Sequence, residues 1–265
     1  MKRFFTKFYF YLVLLFMYAP IVTLIVFSFN GTKSRGVWNG FSLMWYKSLF
    51  RNREILSALG TTLIVALLAA LIATVIGTVA AIALHNSRPL VRKGLISATY
   101  LPMVNSDIVT GVSLMLLFSF IGMQLGFSTL MLSHVTFCVP YVILSVLPKL
   151  HQINKNTFEA ALDLGANYFT AYTRIIVPEI MPGILTGFLI SVTLSIDDFM
   201  ISFFNTGQGV QNLSILIYTM TKRGIKPEIN ALSAIMFAAV LVLLIIINIR
   251  QAKAAKKNDN LSADN

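Results

Sequence analysis

Three carboxylates stand inside apolar sequence that should exclude them. Asp107 lies within the apolar run 95–122, and Asp197 and Asp198 lie within 183–204. A charge at the centre of a bilayer helix costs at least about 2.5–3.5 kcal/mol, so each acid needs a partner or a task. None of the six long apolar runs contains Lys or Arg, so no basic side chain inside them pairs with the acids. A cationic solute meets that need. Carboxylates and hydroxyls take ammonium groups, and aromatic walls take methylenes and positive charge. Asp107, Asp197, Ser195 and Trp45 are the residues assigned to such a pathway, with Asp198 beside them. Neighbouring helix residues point about 100° apart, so Asp197 and Asp198 cannot both face one pore. Asp197 is assigned to the pathway and Asp198 to an interhelical hydrogen bond; protonated acids that only cap and pack kinked helices are the alternative. His134, with no second His nearby, is read as a hydrogen-bonded interhelical residue rather than a proton carrier.

A second kind of chemistry is written in Glu159–Pro178, EAALDLGANYFTAYTRIIVP. Asn156 followed by Glu159 reads as a capping box that starts a short helix of about two turns. Ala160 and Ala161 let a partner surface approach the backbone, and Gly165 supplies a left-handed residue to end the helix. A further helical segment over 167–176 should stop before Pro178, which has no N–H and disfavours helix in the residue before it. These residues suit docking, not catalysis. No GxxxxGK[ST] phosphate loop, HExxH, GxSxG or CxxC occurs, which argues against nucleotide or hydrolytic chemistry on this chain. The lone Cys138 excludes an internal disulfide and a cysteine metal site, and is read as a small core residue.

The elements that position these residues are membrane spans. Of 265 residues, 57% are hydrophobic and only 12% charged, and mean hydropathy is +0.78, far beyond a soluble domain of this size. Six spans are predicted at 8–29, 58–84, 95–122, 126–147, 183–204 and 231–249. Each covers most or all of a hydrocarbon core of roughly 30 Å. The first is too long for a signal-peptide core and has no small-residue cleavage site after it. In the second, Ala69, Ala73, Gly77 and Ala81 recur at steps of four and form a packing stripe. Asp107 and Asp197 fall at depths of roughly 18 and 21 Å from the estimated starts of their spans, one shared level. The segment 149–181 is a loop between spans, and 250–265 is a polar tail with nothing to bury.

The net charge of +11 is topological rather than a nucleic-acid signal, because the Lys and Arg residues sit in loops and tails between apolar runs. With both termini in the cytoplasm, 13 Lys and Arg fall inside and 8 outside, the favoured sense of the positive-inside rule. That topology also puts the Glu159 loop in the cytoplasm.

The spacing of Glu159, Ala160, Ala161, Gly165 and Pro178 resembles the EAA loop of the membrane-spanning subunits of ATP-binding cassette (ABC) importers, with Val177 where the family pattern has Leu. The stretches SVTLSIDDFMISFFNTG, RGIKPEINALSAIM and LGFSTLMLSHVTFCVPY are similar to the second permease subunit of the spermidine/putrescine importers, and the resemblance runs over nearly the whole chain. It implies an all-α, six-span permease of the type I importer fold in a bacterial cytoplasmic membrane. It also implies a second, homologous permease as partner, two ATPase subunits that carry the ATP and Mg, and an extracytoplasmic polyamine-binding protein. Glu159, Ala160, Ala161, Gly165 and Pro178 would then couple the spans to the ATPase. An importer of an oxyanion would want Arg, Lys or backbone N–H groups at mid-membrane rather than three Asp. An ion-coupled secondary transporter would leave the Glu159 loop without a task, and a membrane enzyme lacks a nucleophile and base.

Overall fold

Long uncharged runs dictate helices, because backbone N–H and C=O groups in lipid must be satisfied within the segment. The computed structural model describes residues 2–32, 37–222, 227–242 and 245. It contains α1 (Lys2–Ser28), α2 (Met44–Arg51), α3 (Arg53–His85), α4 (Pro89–Val104), α5 (Asp107–Phe120), α6 (Phe127–Gln152), α7 (Lys155–Asp163), α8 (Tyr168–Ala171), α9 (Val177–Asp197), α10 (Met200–Asn205), α11 (Leu213–Lys222) and α12 (Pro227–Val242). Hydroxyls inside these helices return to the preceding turn. Thr62, Thr74, Ser145 and Thr193 donate to the carbonyls four residues back at 2.6–2.9 Å, which hides polar groups without a partner helix.

Four helices are long and apolar enough to cross a membrane, five if α4 and α5 form one bent span. The expected third span, 95–122, is therefore not one helix. α4 and α5 meet at 104° across Asn105 and Ser106, whose ψ angles of 150° and 139° are extended. Asn, Ser and Asp in sequence favour caps over helix interiors, and here they win against the apolar flanks. The expected fifth span, 183–204, is interrupted as well. α9 ends at Asp197, Asp198 is extended (ψ 130°), and α10 follows. The remaining spans keep their places with shifted ends: α3 starts five residues earlier than expected and α6 runs on to Gln152. α12 covers the first part of the expected sixth span, while 243, 244 and 246–249 lie outside the described residues, as does the tail 250–265. The apolar stretch 213–220, between the expected fifth and sixth spans, lies in the helix α11, whose first N–H donates to Thr62 at 2.8 Å.

The chain falls into two compact units, Met1–Leu56 with Thr219–Asn265 and Ser57–Tyr218. In the second unit α6 is central, with α9 packed along it. The stripe Ala69, Ala73 and Ala81 on α3 is fully buried, and a Cβ at Gly77 would meet the Val142 side chain of α6 at 2.7 Å. A matching seam on α9 was not foreseen. Gly183, Gly187, Ser191 and Ser195, again at steps of four, are all buried. Cβ atoms at Gly183 and Gly187 would lie 2.9 Å from the Ser145 carbonyl and 3.0 Å from Val142 Cα. Small residues on both neighbours let three helices approach to backbone contact. Around this contact Phe137, Ile143, Leu147, Leu150, Ile176 and Ile180 build the apolar core.

Candidate functional site

The two helix breaks put the intramembrane acids in unlike settings. Asp198 is buried at the junction of α9 and α10 and caps the short helix. Its Oδ1 accepts the Ile201 N–H (3.2 Å), and its Oδ2 accepts the Ser202 N–H and hydroxyl, both at 2.8 Å. His134, buried in the first third of α6, reaches the same junction. Its Nδ1 lies 2.6 Å from Ser195 Oγ, its Nε2 3.0 Å from Ser202 Oγ, and Asp198 Oδ2 is 3.6 Å away. Buried polar groups are tolerated in lipid when they satisfy one another in this way. His134 is thus an interhelical hydrogen-bond partner. Ser195, assigned to the pathway from sequence, and Asp198, assigned there to an interhelical hydrogen bond, are both held within this network.

Asp197, one residue before, is exposed, and so is Asp107 at the first position of α5. Asp107 is thus a helix-start acid and not a mid-helix charge. That corrects the level estimated for it on a continuous span. α5 and α10, the two half-helices after the breaks, lie against each other. A Cβ at Gly111 would meet the Met200 carbonyl and the Phe204 ring at 3.2 Å. Asn205 donates to the Gly111 carbonyl (3.1 Å) and to Ile201 (2.9 Å), and its own carbonyl accepts from Thr129 of α6 at 2.7 Å. Beyond α10, Gly207 has φ +65°, and a Cβ there would overlap the Leu125 carbonyl.

Trp45 belongs to the other unit. Its buried indole donates to the Asn30 carbonyl at 2.7 Å. The Asn30 amide bonds Val37 (2.8 Å) and accepts from the Asn39 N–H (2.9 Å), so the ring braces the segment after α1.

The Glu159 region forms a helix–turn–helix with a different start from the one expected. Asn154, not Asn156, is the N-cap, and its side chain accepts the Asn156 N–H at 3.1 Å. α7 closes as a Schellman motif: Ala166 N–H bonds Ala161 O (3.0 Å), Gly165 N–H bonds Leu162 O (2.9 Å), and Gly165 has φ +86°. Glu159 and Ala160 are exposed and Ala161 is buried. Leu164, Tyr168 and Phe169 are 89%, 68% and 77% exposed beside them. The helix does not stop before Pro178, as sequence implied. Tyr172–Ile176 is a π turn in which Val177 N–H bonds Tyr172 O, and α9 continues through the proline. Widening the turn just before a residue without an N–H lets the backbone pass it without a break. Asn86 at the end of α3 donates to the Tyr172 hydroxyl at 2.6 Å, fixing the π turn to the span.

Among the described residues no cluster of His, Cys, Asp and Glu could hold a metal ion. Paired breaks in apolar helices, exposed acids beside them and an exposed capped helix at one end define a polytopic transport subunit. The fold agrees: a bacterial ABC transporter that imports the acidic polysaccharide alginate matches with TM-score 0.69 over 93% of this chain and 94% of that one, at 17% identity. No protein-family model matches. Among curated proteins, the spermidine/putrescine transport system permease protein PotC of Escherichia coli (strain K12) is 39% identical over 230 residues, 87% of each chain. The putrescine transport system permease protein PotI of the same strain is 37% identical over 249 residues, 91% of this chain and 89% of that one. The chain belongs to the spermidine/putrescine permease family of ABC importers.

Proposed function

We propose that this chain is one half of a translocation pathway that admits polyamine cations to the cytoplasm, driven by ATP hydrolysis on a separate subunit. The observation that carries the reading is the contrast within one acidic pair. Asp198 is enclosed by its own hydrogen bonds, whereas Asp197 is exposed at the same break, free to take an ammonium group as the pathway opens. Asp107, exposed at the start of a half-helix that packs on α10, supplies a second carboxylate for a ligand with more than one charge. The kinship with polyamine permeases supports that choice of solute over an oxyanion. The other half of the pathway is a second homologous permease. Two ATPase subunits bind ATP and Mg and seat on Glu159, Ala160, Ala161 and Gly165, with the exposed Leu164 and Phe169 as apolar contacts. Pro178 and the π turn carry the movement of that helix into α9. An extracytoplasmic binding protein delivers the solute, and both termini are cytoplasmic.

The test is ATP hydrolysis and uptake by the complete complex in proteoliposomes, with its binding protein and a panel of spermidine, putrescine and sulfate. Stimulation and uptake with the amines alone are expected. Uptake that survives ATP depletion and collapses with an uncoupler, or stimulation by sulfate, would overturn the reading.

A further inference from the structure

Asn205 is fully buried at the end of α10, and for packing alone it is a poor choice. Its Nδ2 donates to the Gly111 and Ile201 carbonyls at 3.1 and 2.9 Å, while its Oδ1 accepts no hydrogen bond from any described residue. The orientation of the amide follows from these neighbours, since carbonyls only accept. Gly111 lies inside α5, where the helix ladder already serves its carbonyl, so the bond from Asn205 is additional to that ladder. A leucine of similar shape would fill the site and leave no orphaned acceptor. A buried amide with one end unmet calls for a task other than filling space.

What the amide does is join the two half-helices that follow the breaks. α5 begins at Asp107, and Gly111 stands one turn further along the same face. α10 is fixed to the end of α9 through the Asp198 cap, one residue after Asp197. A Cβ at Gly111 would lie 3.2 Å from the Met200 carbonyl, so α10 seats directly on the α5 backbone. Asn205 is anchored from behind as well, where its backbone carbonyl accepts the Thr129 hydroxyl of α6 at 2.7 Å. The route from Asp107 through Gly111, the amide and α10 to Asp197 thus consists of helix backbone and short bonds. We infer that Asn205 is a positioning residue that sets the separation of the two exposed carboxylates, and with it the charge spacing of the amine that the spans pass. The inference rests on the pathway reading of Asp107 and Asp197 given above. A dication bridges two fixed carboxylates well only when its ammonium groups match their separation, and every methylene added or removed changes that match. Carboxylates free to change their separation lose this preference.

The experiment uses the complete complex in proteoliposomes, with the binding protein saturated by each amine so that its own preference does not enter. Maximal uptake is measured for spermidine and for diamines of three, four and five carbons. In wild type the best and worst diamines should differ by about tenfold, and Asn205→Leu should bring that ratio to about threefold or less. Its folded yield should equal or exceed that of wild type, because the orphaned acceptor is gone. Nitroxide labels on Asp107→Cys with Asp197→Cys, in a Cys138→Ala background, read the separation itself. Their distance distribution should be narrow with Asn205 in place and broadened or shifted with Asn205→Leu. Should Asn205→Leu assemble poorly, Gly111→Ala decides: it keeps the amide, pushes α10 away from α5 and should move the preference toward the longer diamine. A wild-type profile that is flat, a profile unchanged by both variants, or an unchanged label distance in Asn205→Leu overturns the inference and leaves the pathway reading intact. Full uptake of every amine by both Asp107→Asn and Asp197→Asn overturns that reading and the inference with it.

Discussion

Asp198 holds Ser202 twice, accepting its backbone N–H and its hydroxyl at 2.8 Å each. Through that pair the end of α9 becomes the start of α10, and the neighbouring acid is left outside. Removing the Asp198 carboxylate strands the Ile201 and Ser202 N–H groups in a buried site, at about 1–3 kcal/mol for each orphaned donor. Asp198→Ala should therefore lower the amount of folded protein and its thermal midpoint. Asp197→Asn should leave both unchanged and depress polyamine uptake, as should Asp107→Asn. Size-exclusion profiles and labelled-amine uptake at matched protein level check this. Full transport by both the Asp107 and Asp197 variants would remove them from the pathway.

His134 bridges the same junction from α6, between Ser195 at 2.6 Å and Ser202 at 3.0 Å. His134→Ala leaves two hydroxyls without that partner and opens a void in a packed interior. His134→Gln keeps a donor and an acceptor near the same places. The expected order of thermal stability is wild type, then Gln, then Ala, with Ala lower by about 2 kcal/mol or more. Equal stability of all three would mean that the His134 bridge adds nothing to the hold on α10 beyond the Asp198 cap and the contacts of Asn205.

The spans were readable in the sequence because an uncharged run of sufficient length has few ways to exist except as a helix across a membrane. The breaks were not. Hydropathy averages over about 19 residues, and Asn105, Ser106 and Asp198 are diluted by Leu, Ile, Val and Phe on both sides. The local signal was nonetheless present, since Asn, Ser and Asp are capping residues, and it was read as charge in a helix rather than as the end of one. Gly165 was legible because a left-handed residue after two small ones has few other uses. Pro178 misled for a physical reason: the rule that proline stops a helix assumes α geometry, and Val177 escapes it by bonding five residues back to Tyr172. The seam of Gly183, Gly187, Ser191 and Ser195 has the same period as the stripe on α3, and only the contact with Val142 and Ser145 gives it a meaning.

Gly165 sits at φ +86° with open space where a Cβ would go, so a side chain there strains the backbone without a clash. Gly165→Ala should cost α7 about 1–2 kcal/mol, loosening the turn that presents Leu164 and Phe169. Gly165→Asp adds a charge among those apolar groups. The expected outcome is reduced co-purification of the ATPase, or hydrolysis no longer stimulated by the binding protein, with Asp the more severe. Normal uptake and normal ATPase activity in Gly165→Asp would remove this helix from coupling.

Gly187 offers a sharper separation of packing from transport than the acids do. A Cβ there would lie 3.0 Å from Val142 Cα, 3.3 Å from Val142 Cγ1 and 3.4 Å from Ser145 Cβ. Backbone cannot yield as a side chain can, so Gly187→Ala requires α9 to move away from α6 by a few tenths of an ångström, and Gly187→Leu requires far more. Ala should lower stability modestly, by about 1–3 kcal/mol, and Leu should prevent α9 from seating. Since α9 carries both Asp197 and the Asp198 cap, Leu should abolish folding and uptake together, whereas Ala should keep the uptake KM near wild type while the thermal midpoint falls. The pair Gly187→Ala and Val142→Ala makes the contact itself testable. The smaller residue on α6 creates room for the new methyl, so the double variant should recover part of the stability lost by Gly187→Ala alone. Strictly additive losses would show that Val142 Cγ1 does not limit the new methyl and that the contact with the α6 backbone sets the whole cost.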